Sequence, residues 1–245
     1  VVDRLLAPGG CPWDQAQTHD TLKRHLIEEA YELIEAIESG DAERLIEELG
    51  DVLLQPVMHA QIAARNGHWD IEAVARAVTE KLVRRHPHVF GSVEAKDADE
   101  VLHNWDEIKR QEKGTSGRSA LDGVPRSMPA LSRAFEISKR AARLGFEWHD
   151  LDGVWTKLAE EEKELWAAVE KGTGVPEELG DLLFTIVNIA RWLKVDPEEA
   201  LRKMVDRFQE RFATMESLAG RPLKELNLDD WDELWTKAKA AQAHP

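Results

Sequence analysis

Residues 157–189, KLAEEEKELWAAVEKGTGVPEELGDLLFTIVNI, decide the fold, because two helical patterns meet in them across a glycine-containing break. At 100° per residue, Glu160, Glu161 and Glu164 fall within an arc of about 100° on one helix face. After Gly172, a stop signal, Glu178 and Asp181 stand at i and i+3 on a second helix, and their face continues through Thr185 and Asn188. Leu182, Leu183 and Ile186 face elsewhere, with Leu182, Ile186 and Ile189 recurring at helical intervals. A polar stripe thus runs into a mostly apolar helix, opposite an acidic face on its neighbour.

The same order of features occurs earlier in the chain. The first copy reads Trp13, Glu28-Glu29-Ala30-Tyr31-Glu32, Glu48-Leu49-Gly50-Asp51, a basic segment from Lys81 to Arg85, and Trp105-Asp106-Glu107. The second reads Trp148, Glu160 to Glu164, Glu178-Leu179-Gly180-Asp181, Lys203 to Arg207, and Trp231-Asp232-Glu233. Five features in one order imply duplication of a helical unit. Leu22, Leu26, Ala30 and Leu33 carry helical spacing in the first copy, and no alternating strand pattern stands out. Asp41, and Asp196 before Pro197, read as helix starts, while Gly40 and Gly67 read as stops or turns. The expected fold is all-α: two tandem helical bundles, each with a pair of long antiparallel helices that present the acidic motifs. Gly, Ser and Pro cluster in residues 114–129, which gives an N-terminal domain of residues 1–113, a linker of 114–129, and a C-terminal domain of 130–245.

Composition narrows the function. The 245 residues are 42% hydrophobic and 32% charged, enough apolar material for two soluble domains. A net charge of −15 argues against broad attraction to nucleic acid or anionic membrane, although local metal ions can still hold polyanions. One cysteine, Cys11, excludes an intrachain disulfide or a thiolate cluster and suits a reducing, cytoplasmic setting. The longest apolar stretch, around Leu182 to Ala190, is too short to span a bilayer, and no secretory leader opens the chain. A start at Val1 rather than Met points to a short preceding piece.

Like charges held together raise their pKa values and cost stability unless a cation compensates them. Oxygen donors without histidine or thiolate suit Mg²⁺, with Mn²⁺ as a substitute, and Mg²⁺ recruits substrate phosphates. Glu160, Glu161, Glu164, Glu178 and Asp181 form one candidate metal set, and Glu28, Glu29, Glu32, Glu48 and Asp51 the other. The plain alternative for an EEEKE run is a solvated helix surface, but acids that enter the buried side of an apolar helix need another explanation.

EExxE followed about fifteen residues later by ExxD, with CPWDQAQTH in front and KLVRRHPHVFG behind, resembles the MazG family of all-α nucleoside triphosphate pyrophosphohydrolases over nearly the whole chain. The resemblance implies Mg²⁺-dependent hydrolysis of a nucleoside triphosphate to monophosphate and pyrophosphate, on a bundle that pairs as a homodimer. It also implies that the five acids of the second half form the catalytic metal site, one of its glutamates orienting or deprotonating water. Lys203 and Arg207 would contact phosphates, and Asn188, Trp235 and Lys239 would line the nucleotide pocket. Composition and spacing speak only for carboxylates suited to metal.

Two differences between the halves favour the second as the main catalyst. Met58 stands where the second half has Asn188, and Pro56 interrupts the first ExxD helix where the second has Ile186, which should kink it at a cost of about 3 kcal/mol if uncompensated. Other chemistries find little support. No GxxxxGK[ST] loop occurs; RLIEELGD at Arg44 to Asp51 is one residue out of register for a Nudix box; the one ExxH, Glu100 to His103, lacks the partner a di-iron site needs. His86-Pro87-His88 lacks further zinc ligands, and Cys11 has no base at recognisable spacing. The non-enzymatic alternative is a helical adaptor with degenerate metal motifs that recruits a basic partner.

Overall fold

The computed structural model describes residues 1–97, 100–101, 104–105, 108, 112 and 119–242, and among these it is helical without a strand. The chain divides into two compact units, Val1–Ser116 and Gly117–Pro245. His103, Asp106, Glu107 and the linker residues 114–118, all singled out in the sequence, lie outside the described residues. No described helix is long and apolar enough to cross a membrane.

Unit 1 comprises α1 (Val2–Leu6), α2 (Pro12–Gln15), α3 (Leu22–Ser39), α4 (Ala42–Arg65), α5 (Ile71–Arg85) and α6 (Pro87–Phe90). The α3–α4 connection is as short as a helical hairpin allows. Gly40 ends α3 in the left-handed region at φ 69°, and Asp41 starts α4 by accepting hydrogen bonds from the amides of Glu43 (2.9 Å) and Arg44 (3.3 Å). A two-residue turn makes the helices antiparallel, so Glu29 in the middle of α3 meets the second and third turns of α4. Leu6, Leu22 and Met58 form the small core that holds α1 against the far end of this hairpin, with Val2 and Ile62 packed around them. Helix α4 runs through Pro56 as one element, so the lost backbone bond is absorbed without ending it.

Unit 2 comprises α7 (Ala130–Arg143), α8 (Leu151–Lys171), α9 (Val175–Trp192), α10 (Pro197–Leu218), a 3₁₀ turn (Leu223–Glu225) and α11 (Leu228–Gln242). Asp150 caps α8 through the Gly153 amide at 2.9 Å, and Gly172 closes it at φ 73°. Helix α9 folds back antiparallel on α8, while α7 lies along the flank of α9. A buried polar contact fixes α7 in register: Ser138 Oγ donates to Asn188 Oδ1 and accepts from Arg191 Nε at 2.7 Å. Arg191 also binds Glu147 at 2.8 Å. A second hairpin, α10 with α11, closes over Met215, Leu234 and Ala238, with Trp231 and Trp235 packed against them. Asp196 caps α10 as its sequence suggests, accepting from the Glu198 and Glu199 amides at 2.9 and 3.0 Å.

Candidate metal and phosphate site

In unit 2, Glu161 and Glu164 on α8 and Glu178 on α9 each bring one carboxylate oxygen into a group whose members all lie within 4.8 Å of one another. Glu178 belongs to the first turn of α9, where the helix dipole favours an anion. Glu161 is only 4% exposed. Its Oε1 accepts from Lys157 Nζ at 2.7 Å, whereas its Oε2 is buried with no hydrogen-bond partner. A buried, half-satisfied carboxylate is costly unless a cation completes it, so the orphaned oxygen marks where one fits. Lys157 is held charged well above its ordinary range, first by the hydrogen bond to Glu161, against its own desolvation. The same lysine lies 3.5 Å from Glu160, which is half-exposed and outside the three-carboxylate group. Asp181 is exposed, and its helical azimuth falls between Glu178, which faces α8, and Asn188, which faces α7.

Unit 1 gathers Glu29 of α3 with Glu48 and Asp51 of α4 in the same way, again within 4.8 Å. Here no lysine intrudes, and the acids repel. The Glu29 pKa is raised, first by burial and then by Asp51 and Glu32; that of Glu48 is raised by burial and then by Glu32, with Arg44 partly offsetting. Glu32 therefore contributes charge to the cluster although it is exposed. Glu28 turns away: it pairs with Arg24 Nε at 2.7 Å and His25 Nδ1 at 3.1 Å, and the Arg24 hydrogen bond lowers its pKa. His25 stands four residues before Glu29, as Lys157 stands four before Glu161.

The residues expected to touch the nucleotide fall into two groups. Asn188 is 2% exposed and spends its amide on Ser138 and on the Phe184 carbonyl (2.9 Å), so here it joins α7 to α9. Its counterpart Met58 is a core residue of unit 1. Lys203, Arg207, Trp235 and Lys239 belong to the α10–α11 hairpin. Lys203 pairs with Glu199, Arg207 approaches Met204 Sδ at 2.9 Å, and Trp235 packs on Phe208 at 5.6 Å between ring centres, with Arg211 and Lys239 over its ring. In unit 1 the basic segment behaves similarly: Arg84 and Arg85 grip Glu112 at 2.6 and 2.7 Å and lower its pKa to about 2.

Sequence reasoning passed over Lys157, although the signal was present in a lysine one turn before Glu161 on the same face. It also passed over a ring cluster in unit 1, where His19 and His59 meet at 2.7 Å between Nδ1 atoms and Trp69 stacks at 6.0 Å, because those residues come from three separate segments.

Fold and clusters together define a duplicated all-α protein built on two acidic helix hairpins. The chain belongs to the MazG nucleotide pyrophosphohydrolase family, whose domain pattern matches it twice, over residues 17–90 and 152–215. It is 49% identical to the Thermotoga maritima nucleoside triphosphate pyrophosphohydrolase/pyrophosphatase MazG, over 98% of this chain and 93% of that one. It is 41% identical to an Escherichia coli nucleoside triphosphate pyrophosphohydrolase, over 98% and 94% respectively. An uncharacterised Bacillus subtilis protein, YabN, is 46% identical over 99% of this chain, which spans 51% of its length.

Proposed function

We propose that the protein hydrolyses nucleoside triphosphates to nucleoside monophosphate and pyrophosphate with Mg²⁺, Mn²⁺ substituting, and that unit 2 is the principal site. The relatives' activity supports the reaction. The observation that carries the site is the Glu161–Glu164–Glu178 group with its buried, unpartnered Glu161 oxygen. Its donors are all carboxylate, which fits a hard divalent cation. Glu161, Glu164 and Glu178 would hold the ion, with Asp181 at the edge of the group and Glu160 beside it. When bound, the ion supplies charge neutralisation for the leaving pyrophosphate and lowers the pKa of the attacking water. Glu161 is buried, and Lys157 holds one of its oxygens and would offer a cation to an incoming phosphate. Water loses its proton to one of these carboxylates. Lys203 and Arg207 would add phosphate contacts, and Trp235 and Lys239 nucleotide contacts, from the α10–α11 hairpin. The Glu29–Glu48–Asp51 group, with Glu32 and Glu28 at its rim, would form a second, weaker metal site.

We further infer a cytoplasmic homodimer. The outer faces of the acidic hairpins expose Ile27, Ile34 and Leu53 in unit 1 and Trp166, Leu183 and Ile186 in unit 2. The test of the reaction is product analysis with a panel of common and modified triphosphates and Mg²⁺. Pyrophosphate with monophosphate is expected; orthophosphate with diphosphate overturns the assigned bond cleavage.

A further inference from the structure

Two imidazoles of unit 1, outside the acidic groups, meet in a geometry that admits one kind of bond. His19 Nδ1 and His59 Nδ1 are 2.7 Å apart, the ring planes lie within 7° of each other, and the ring centres are 5.0 Å apart. That last separation equals the nitrogen–nitrogen distance plus one ring radius on each side. The rings therefore lie edge to edge in one plane, with both Nδ1 atoms on the line between their centres. At 2.7 Å no metal ion fits between them, since each bond to nitrogen needs about 2 Å. What fits is a hydrogen, in a straight N–H···N bond in which one Nδ1 donates and the other accepts.

The bond ties three segments together. His19 belongs to the turn that leads into α3, where the amides and hydroxyls of Thr18 and Thr21 bond reciprocally at 2.9 and 3.2 Å. His59 belongs to α4, and Trp69, just before the Asp70 cap of α5, stacks on His19 at 6.0 Å. Each histidine also has a core residue close by in the chain: Leu22 lies one turn beyond His19, Met58 adjoins His59, and the two meet over Leu6. The charged groups on the neighbouring elements are engaged elsewhere. Asp20 pairs with Lys23, His25 with Glu28, Asp70 accepts from the Ala73 amide at 3.0 Å, and Asp3 of α1 accepts from Gln61 at 2.7 Å, while His68 beside Trp69 is exposed. Burial, and after it the charge of His19, lowers the His59 pKa.

We propose that the His19–His59 pair is a proton-operated latch, which pins the lead-in of α3 and Trp69 to α4 while one hydrogen lies between the rings and opens when both rings are protonated. The neutral pair has one donor and one acceptor, and a first added proton still leaves an acceptor. The second turns the last lone pair into an N–H, so that two positive N–H groups face each other. Because the charged form of His59 is disfavoured, its protonation is the opening step, and it falls below the ordinary histidine value of 6.5. Folded His59 takes up its proton less readily than the unfolded chain does. The stability of this end of unit 1 is therefore complete above 6.5 and declines as the pH drops through the window beneath. Ile189 of unit 2 stands where unit 1 has His59, so the latch is confined to unit 1 and is independent of the hydrolytic reading of unit 2.

The experiment uses the full chain with metal chelated. Imidazole nitrogen NMR, with signals assigned by their loss in His19→Gln and His59→Gln, should show opposite tautomers in the two rings at neutral pH, Nδ1–H in one and Nε2–H in the other. Hydrogen exchange, corrected for its intrinsic pH dependence, should show the amides at the starts of α3 and α5 losing protection about ten-fold or more between about pH 7 and pH 5, the size of one lost charge-assisted bond. The start of α9 in unit 2 should show no such step. Trp69 emission, obtained by difference from Trp69→Phe, should fall over the same interval as charge appears beside the indole. His19 is exposed, so His19→Gln should fold normally and lose the step, and it decides the matter if His59→Gln loses helicity. Two Nε2–H tautomers at neutral pH, protection that stays flat in the wild type, or a step of full size in His19→Gln overturns the latch.

Discussion

Units 1 and 2 build the same arrangement, carboxylates from two antiparallel helices within 4.8 Å of one another, and relieve its repulsion by different means. In unit 2 an internal cation does so: Lys157 binds one oxygen of Glu161 and leaves the other unpartnered. Unit 1 has His25 at that position, turned to Glu28, and its central acids respond by holding their protons more tightly. The difference teaches that an acidic cluster can be stored without its ion in two ways, with a lysine hydrogen-bonded to one of its carboxylates or with carboxyl groups whose pKa values are raised. Charge, not merely the Asn188-for-Met58 exchange, separates the halves.

The largest expected effect tests the ranking directly. Glu161→Ala or Asp181→Ala should lower kcat/KM by about 10³-fold, the scale of losing metal-based stabilisation of charge, while Glu29→Ala retains much of the activity. Steady-state kinetics on the three variants suffice, and equal losses would erase the distinction between the units. Next in size is self-association. Leu183→Glu, which puts a charge on the exposed α9 face, should shift the protein toward monomer in analytical ultracentrifugation; an unchanged sedimentation coefficient would remove that face from the interface.

Lys157→Met sharpens the comparison from the other side. Without metal it strands a buried carboxylate and should destabilise unit 2 by about 1–3 kcal/mol, the lower end reflecting the lysine's partial exposure. Magnesium titration followed by tryptophan fluorescence should then show tighter binding, because the competing cation is gone. Weaker binding would mean that Lys157 supports the site by shape alone.

The smallest effect concerns pH. For Glu29 and Glu48 the folded pKa lies above the ordinary 4.5, so the metal-free folded state binds more protons than the unfolded one, and stability falls as pH rises through that window. The contribution is complete below the ordinary carboxylate value and is lost once pH passes the raised values. Glu112, at about 2, acts in the opposite sense: its contribution is present above 4.5 and disappears as pH falls toward 2. Thermal melts of Glu29→Gln against wild type across the weakly acidic range should therefore differ most at the upper end, where the variant is relatively stabilised. Saturating Mg²⁺ should reverse the difference, because only the wild type keeps the full carboxylate set that the ion stabilises.

Much of the fold was legible in the residues because helix caps and turns are local. Asp41, Asp196 and Gly172 act where their types demand, and the repeated EExxE and ExxD motifs lie on paired helices in both units. Pro56 falls inside α4, as its place in the ExxD pattern implies, and the helix continues through it. At the candidate site, faces could be read but partners could not. Helical spacing placed Glu28 and Glu160 beside the other acids, yet Arg24, His25 and Lys157 hold them outside the three-carboxylate groups.

By itself the sequence determined an all-α duplicated chain with acids on facing helices, because periodicity, capping and spacing act over one or two turns. Tertiary structure alone decided which oxygen is left without a partner, that Asn188 is spent on Ser138, and that Lys157 rather than a second lysine or arginine meets Glu161. Those outcomes depend on side chains far apart in the chain competing for one small space, and no local pattern records who wins.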